Sequence, residues 1–252
     1  MLHSVSDMLR FYHRPLSTIL RQRPCRLRTL SSPLRIGESL RLPVVAFSTR
    51  VERIPRKCPS CHQPLATSIP ACTNCWFIAG LPSDISYHEL LGLPADTNPF
   101  AIDTAALKSN FRRAQQVCHP DSWASKGEGK QDLAHSLSSL VNNAYQRLLK
   151  PLARAEYILE RNGHPMSEED KLDDMIFISE VMEAREEIEN ADNPVLIQAI
   201  REENRGKISD IIDEIETLIE AKDWAAVKEA TIRLKYLEGI ERAAHAHEDA
   251  HS

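Results

Sequence analysis

Glycine is scarce in this chain of 252 residues, with eight in total, and aromatic residues make up 6%. Alternation of apolar and polar residues, which marks a half-buried strand, is hard to find. Charged residues account for 27%. A long chain that is poor in glycine and strand patterns but rich in charge is typical of an all-α protein with one large or two small domains.

Long hydrophobic runs are also lacking. The longest run near the front, residues 42–47, is far shorter than the roughly 20 residues that a membrane-spanning helix needs. We therefore expect no membrane span. The chain also has no glycine-rich phosphate loop and no supported Ser/His/Asp or Cys/His motif, so it is not expected to be an ATPase or an enzyme that uses a catalytic nucleophile.

Lysine is absent from residues 1–50, which hold nine Arg and two acidic residues, Asp7 and Glu38. An Arg-rich, Ser-containing, acid-poor front is typical of a mitochondrial transit peptide, and a disordered tail or a basic nucleic-acid arm is the alternative. The rest of the chain carries 22 basic and 34 acidic residues. Nucleic-acid binders usually show the opposite balance. The sequence thus predicts a transit peptide over residues 1–50, a location in the mitochondrial matrix and no nucleic-acid partner.

Four of the six cysteines lie in the proline-punctuated segment 51–80, in two C-x-x-C pairs ten residues apart. They are Cys58, Cys61, Cys72 and Cys75. Two such pairs can supply four thiolates to one tetrahedral ion. A segment this short cannot build a core of its own, so metal binding would fold it. We predict one structural zinc ion; a disulfide switch and an iron or iron–sulfur site are the alternatives, and a reducing matrix disfavours structural disulfides.

Two amphipathic segments flank the tripeptide His119-Pro120-Asp121. Their apolar stripes are Leu107, Phe111, Ala114 and Cys118, then Leu133, Leu137, Leu140, Ala144 and Leu148. Pro120 cannot continue the first helix, and it moves His119 out of the α region. The two helices are therefore predicted to pack as an antiparallel pair, with His119 and Asp121 exposed where the chain turns.

Three further helices are expected over residues 166–246. A capping box of Ser167 and Asp170 predicts a first helix over 169–191. Asn193 before Pro194 predicts the start of the second helix, and Asp223 predicts the start of the third. Helices joined by such short loops pack as an antiparallel bundle.

Several of these segments together resemble a known family. Tyr87-His88-Glu89-Leu90-Leu91-Gly92-Leu93, the basic helix and His-Pro-Asp resemble a J-domain. The segment Lys150-Pro151-Leu152-Ala153-Arg154-Ala155-Glu156-Tyr157-Ile158-Leu159 and the acidic helices after it are similar to HscB-type co-chaperones of iron–sulfur cluster biogenesis. The resemblance covers roughly residues 84–245, and some animal-type members carry a similar tetracysteine front.

The resemblance implies a J-domain over 84–162 and a three-helix scaffold-binding bundle over 166–252, preceded by the cysteine segment. It also implies a function. Such a co-chaperone binds the IscU-type iron–sulfur scaffold, delivers it to a mitochondrial heat-shock-type ATPase chaperone, and stimulates that chaperone's ATP hydrolysis. The chain would then not be an enzyme but the activator of a partner ATPase.

Basic residues of the first helix lie off its apolar stripe, so they should face solvent. They are Lys108, Arg112 and Arg113. Solubility alone is the simpler interpretation of such charges. The resemblance instead implies that they steer the domain onto an acidic face of the chaperone, while His119, Pro120 and Asp121 trigger hydrolysis in the partner.

The helix predicted over 169–191 has more apolar residues than its core stripe needs. Phe177, Val181, Ala184 and Ile188 form that stripe, and Ile178 and Met182 are left over beside acidic residues. Such a surplus suggests a protein-binding patch, with a wider core face as the alternative. Ile232 and Tyr236 similarly sit apart from the stripe of the last helix. The resemblance maps scaffold-binding positions to Ile178, Ser179, Met182, Glu183, Glu186 and Tyr236; Ser179 stands where a bacterial relative has a larger apolar residue.

Two other functions fit parts of the sequence. A zinc-dependent nucleic-acid-binding protein would share the cysteine pairs, and salt-dependent binding to random duplex would support it. A C-x-x-C thiol oxidoreductase would show a low thiol pKa and disulfide turnover.

Overall fold

The computed structural model describes residues 56–94 and 98–251, and the predicted leader over 1–50 lies outside them. Helices dominate this part of the chain, as predicted. They are α1 (Tyr87–Leu90), α2 (Thr104–Cys118), α3 (Pro120–Trp123), α4 (Glu128–Leu149), α5 (Pro151–Arg161), α6 (Met175–Glu189), α7 (Pro194–Ala221) and α8 (Trp224–Ala250). A short antiparallel hairpin, β1 (Ala71–Cys72) and β2 (Phe77–Ile78), precedes them. None of the helices in the described residues is long and apolar enough to cross a membrane.

The chain reverses between α2 and α4 through a segment that we call the tip, residues 119–127. Helix α2 ends at Cys118 because Pro120 forces His119 into an extended conformation, with φ −63° and ψ 126°. Pro120 then opens the short helix α3, and a 3-10 turn, Ala124–Lys126, leads to Gly127 at φ +106°. A β-carbon would be strained at that φ, so glycine suits the start of α4.

Helices α2 and α4 pack along each other as predicted. The ring of Phe111 stacks on Tyr145 with centroids 4.1 Å apart. The side-chain amide of Gln115 donates to Asn142 at 2.7 Å and accepts from the hydroxyl of Ser138 at 2.9 Å. These contacts make the helix pair a defined support for the tip.

Leu133 differs from the prediction that it belongs to the α4 core stripe. It is 37% exposed, whereas Leu137 and Leu148 are buried. The reason is that Leu133 lies in the first turns of α4, where it lines an open groove shared with residues 80–87 and with α5.

Helices α6, α7 and α8 form the predicted three-helix bundle. Asn193 and Asp223 cap α7 and α8 as expected, by accepting from Val195 N–H and Ala226 N–H. The predicted start of the first helix at residue 169 is wrong, because α6 begins at Met175 after the cap residue Asp174.

The capping-box residues close a turn instead of opening that helix. The backbone N–H of Ser167 donates to the carboxylate of Asp170 at 2.6 Å. Lys228 of α8 forms an ion pair with the same carboxylate at 2.8 Å. This long-range ion pair ties the connection between α5 and α6 to helix α8 of the bundle.

Buried apolar residues form two clusters. The larger one runs from Ile69 in the cysteine segment through α1–α5 to Leu234 in α8, and the smaller one joins α6, α7 and α8. The buried amide of Asn98 adds a polar link by donating to the carbonyl of Glu216 in α7 at 2.8 Å. Ile232, which the sequence placed off the α8 stripe, is buried, so it belongs to the core.

Candidate functional site

The tip presents the His-Pro-Asp side chains to solvent, as the sequence predicts. The side chain of His119 is 54% exposed and that of Asp121 is 90% exposed. The Nδ1 atom of His119 accepts a hydrogen bond from the backbone N–H of Asp121 at 3.4 Å, and it lies 3.7 Å from the Asp121 carboxylate. This arrangement orients two exposed polar groups on one short turn.

A tryptophan anchors the tip from beneath. Trp123, the last residue of α3, is fully buried. Its indole N–H donates to the carbonyl of Val117 near the end of α2 at 3.0 Å. Because this anchor lies three residues after Pro120, the exposed turn is held by a rigid buried ring.

The basic residues of α2 face solvent. Lys108, Arg112 and Arg113 are all exposed. Arg113 donates to the side-chain carbonyl of Asn110, whose amide in turn donates to the carbonyl of Leu91 at 2.8 Å. Lys108 and Arg112 are one turn apart, so they form a continuous basic surface on the helix that leads to the tip.

The structure brings together the four predicted metal ligands. All four sulfur atoms lie within 4.8 Å of one another. Cys58 Sγ lies 3.5 Å from Cys75 Sγ, and Cys61 Sγ lies 3.6 Å from Cys72 Sγ. A tetrahedral ZnS₄ site with bonds of about 2.3 Å has sulfur atoms about 3.8 Å apart, whereas a disulfide bond is about 2.05 Å long. The cluster is therefore shaped to hold a tetrahedral metal ion.

Burial and hydrogen bonding shift the pKa values of two of the cysteine thiols in opposite directions. Burial raises the pKa of Cys58 to about 11. A hydrogen bond from the backbone of Gln63 lowers the pKa of Cys61 to about 6, and the side-chain amide of Asn74, 3.7 Å from Cys61 Sγ, acts in the same sense. Donors aimed at a sulfur atom favour the thiolate form that binds metal.

Helix α6 carries an exposed face where the resemblance places client contacts. Met182 is 66% exposed, and Ser179, Glu183 and Glu186 are also exposed. Ile178 is half-buried.

Tyr236 of α8 is half-buried and contacts α6 through the ring of Phe177. It meets Phe177 edge-on, with centroids 6.4 Å apart. Phe177 and Tyr236 both pack against the smaller buried cluster, so Tyr236 lies at the junction of α6 and α8. We call the surface of Ile178, Ser179, Met182, Glu183, Glu186 and Tyr236 the α6 face.

Sequence reasoning missed two apolar residues that lie beside this face. Met175 and Ile176 are 73% and 76% exposed. They were not singled out because the predicted helix started at residue 169, which would have placed them in its second turn. Asp174 caps α6 by accepting hydrogen bonds from the N–H groups of Ile176 and Phe177. Met175 and Ile176 therefore occupy the first turn of α6. The Asp before an apolar run was the signal that could have found them.

The fold agrees with comparisons to known proteins. Residues 173–245 match the family model of the HSCB C-terminal oligomerisation domain. The chain is 34% identical over 154 residues to the J-type co-chaperone jac1, mitochondrial, of Schizosaccharomyces pombe, a match that covers 60% of this chain and 67% of the relative. It is 30% identical over 161 residues to the co-chaperone protein HscB homolog of Aliivibrio fischeri, covering 62% and 92% of the two chains.

The human iron–sulfur cluster co-chaperone protein HscB is 29% identical over 143 residues, which is 56% of this chain and 61% of the human protein. The crystal structure of human HscB superposes with a TM-score of 0.64 at 26% identity, covering 75% of this chain and 97% of the other. These relatives are co-chaperones by name, and the fold of this chain matches theirs. The chain belongs to the HscB family of co-chaperones.

Proposed function

We propose that this protein is a mitochondrial J-domain co-chaperone that serves iron–sulfur cluster assembly and transfer. The observation that carries the proposal is the exposed His119-Pro120-Asp121 turn, held at the end of a packed helix pair by buried Trp123. The names of the human and fission-yeast relatives support the setting, since they refer to iron–sulfur clusters and to mitochondria. The leader prediction over residues 1–50 is consistent with the same compartment.

The tip and the basic face of α2 would engage a heat-shock-type ATPase chaperone. Positive charges at Lys108, Arg112 and Arg113 raise the rate of encounter with an acidic surface. His119 and Asp121 then contact the partner and trigger hydrolysis at the partner's nucleotide site. The protein acts as an activator, and the reaction chemistry belongs to the chaperone.

The α6 face would bind the IscU-type scaffold protein, which carries the cluster as cargo. An exposed apolar centre at Met182 with acidic neighbours at Glu183 and Glu186 has the composition of an interface core and rim. Its acidic rim favours a basic partner surface. Tip and α6 face lie on different helices, so one protein could hold client and chaperone together.

The cysteine segment would hold one structural zinc ion through Cys58, Cys61, Cys72 and Cys75. The four sulfur atoms are close enough for tetrahedral ligation, and four thiolates complete the coordination shell. Bound zinc supplies folding energy to the segment and leaves no open position for catalysis.

A His119→Gln variant tests the proposed role of the tip. We expect it to lose stimulation of the chaperone's single-turnover ATP hydrolysis while it keeps its circular dichroism spectrum, because His119 is exposed. His135→Gln is the matched control, since His135 is an exposed histidine on α4. Full stimulation by the His119 variant would contradict the proposal.

A further inference from the structure

Trp76 connects the cysteine segment to the tip. It directly follows the predicted ligand Cys75, and its backbone N–H donates to the carbonyl of Cys72 at 2.9 Å. Its φ of +59° is unusual for a bulky residue. The loop that brings the sulfur atoms together therefore also sets the direction of the Trp76 ring.

That ring forms one wall of the site that holds the tip's anchor. It meets Trp123 edge-on, with centroids 5.4 Å apart and planes at 84°, a favourable geometry for aromatic pairs. The ammonium of Lys126 lies 3.9 Å from the centroid of the Trp76 ring. Lys130, in the first turn of α4, donates to the Trp76 carbonyl at 2.8 Å. Three contacts thus join one residue of the cysteine loop to the tip and to the start of α4.

The cysteine segment shares the main core with the helices. Ile69, Ala71 and Ile78 belong to the larger buried cluster. The hairpin that holds Trp76 has two-residue strands, which are too short to be stable alone. A ligand that ties the four sulfur atoms together would therefore hold Trp76 against Trp123.

We propose that metal occupancy of the tetracysteine cluster controls the order of the His-Pro-Asp tip, with Trp76 as the positioning residue. The metal-bound segment clamps Trp123 and Lys126, and loss of the metal releases the clamp while the helix pair persists. The segment then sets how well the protein activates its partner according to metal supply. This inference rests on the proposed function of the tip and of the cysteine cluster.

Hydrogen exchange of the full chain, measured by mass spectrometry on peptides covering residues 117–127, tests the clamp. Removal of zinc with a chelator is expected to speed exchange there about three- to tenfold, since aromatic and cation–π contacts are each worth up to about tenfold in an equilibrium. Trp76→Ala should produce the same increase while keeping its zinc, and chelation should then add little in that variant. Trp76→Phe, which keeps a ring, should restore most of the protection.

Phe77→Ala is the matched control, because Phe77 is the next aromatic residue, is half-buried, and lies in β2. It should leave exchange at the tip unchanged. Unchanged exchange at residues 117–127 in chelated wild-type protein would overturn the clamp, and this comparison holds even if Trp76→Ala fails to bind zinc. Failure of the proposed function is detected by a different measurement. In that case the His119→Gln variant would still stimulate the chaperone's ATP hydrolysis, independently of the hydrogen-exchange result.

Discussion

Truncation of Met182 to Ala should weaken scaffold binding without weakening the fold. Full burial of a Met side chain is worth about 1.5–3 kcal/mol. Because 66% of Met182 is exposed in the free protein, a partner that covers it would gain about 1–2 kcal/mol from that exposed part. Ala retains the β-carbon, so we expect a loss of about 1–1.5 kcal/mol, or roughly five- to twelvefold weaker binding.

Titration calorimetry with the purified scaffold protein measures this change, and urea unfolding measures the stability of the same variant. The free energy of unfolding should change by less than about 0.5 kcal/mol, as for other exposed positions. Val195→Ala is the matched control, since Val195 is 71% exposed but lies at the start of α7. If Met182→Ala binds the scaffold as tightly as the wild type, the client does not use the α6 face.

Three further outcomes are expected. Cys58→Ser should abolish zinc binding, which elemental analysis would otherwise show at about one ion per chain; a variant that retained a full equivalent of zinc would exclude Cys58 as a ligand. Arg154→Lys should destabilise the fold by about 2 kcal/mol in urea unfolding, because the buried guanidinium donates to the carbonyls of Leu148 and Phe100; an unchanged midpoint would show that lysine can replace it. Burial lowers the pKa of His88 in the folded protein below its ordinary 6.5. Below that pH the unfolded chain binds a proton more readily than the folded protein does, so the free energy of unfolding falls as the pH falls. His88→Phe should flatten that part of the stability–pH curve, and an equal slope in both proteins would refute the assignment.

The helices could be predicted because their stop and start signals are local. Pro120 ends α2 through backbone sterics, and Asn193 and Asp223 cap α7 and α8 with their own side chains. The start of α6 could not be predicted from such a local signal. Asp170 has the sequence position of a capping residue, but its carboxylate pairs with Lys228, 58 residues further along the chain.

The candidate sites show the same division between local and long-range information. The spacing of the cysteines predicted their clustering, because each C-x-x-C pair forms one local turn. Contacts such as Trp76 on Trp123 depend on how distant segments pack, and neither residue lies in a recognisable pattern. Ile232 also shows this limit, since it lies off the apparent stripe yet is buried.

Steady-state ATP hydrolysis by the mitochondrial heat-shock-type chaperone, with this protein and the scaffold added separately and together, tests the central claim most directly. The account predicts that the two together stimulate hydrolysis more than the sum of their separate effects. His119→Gln should remove all stimulation by this protein, whereas Met182→Ala should shift only the scaffold-dependent part to higher scaffold concentration. Equal stimulation by wild type and both variants would contradict the account.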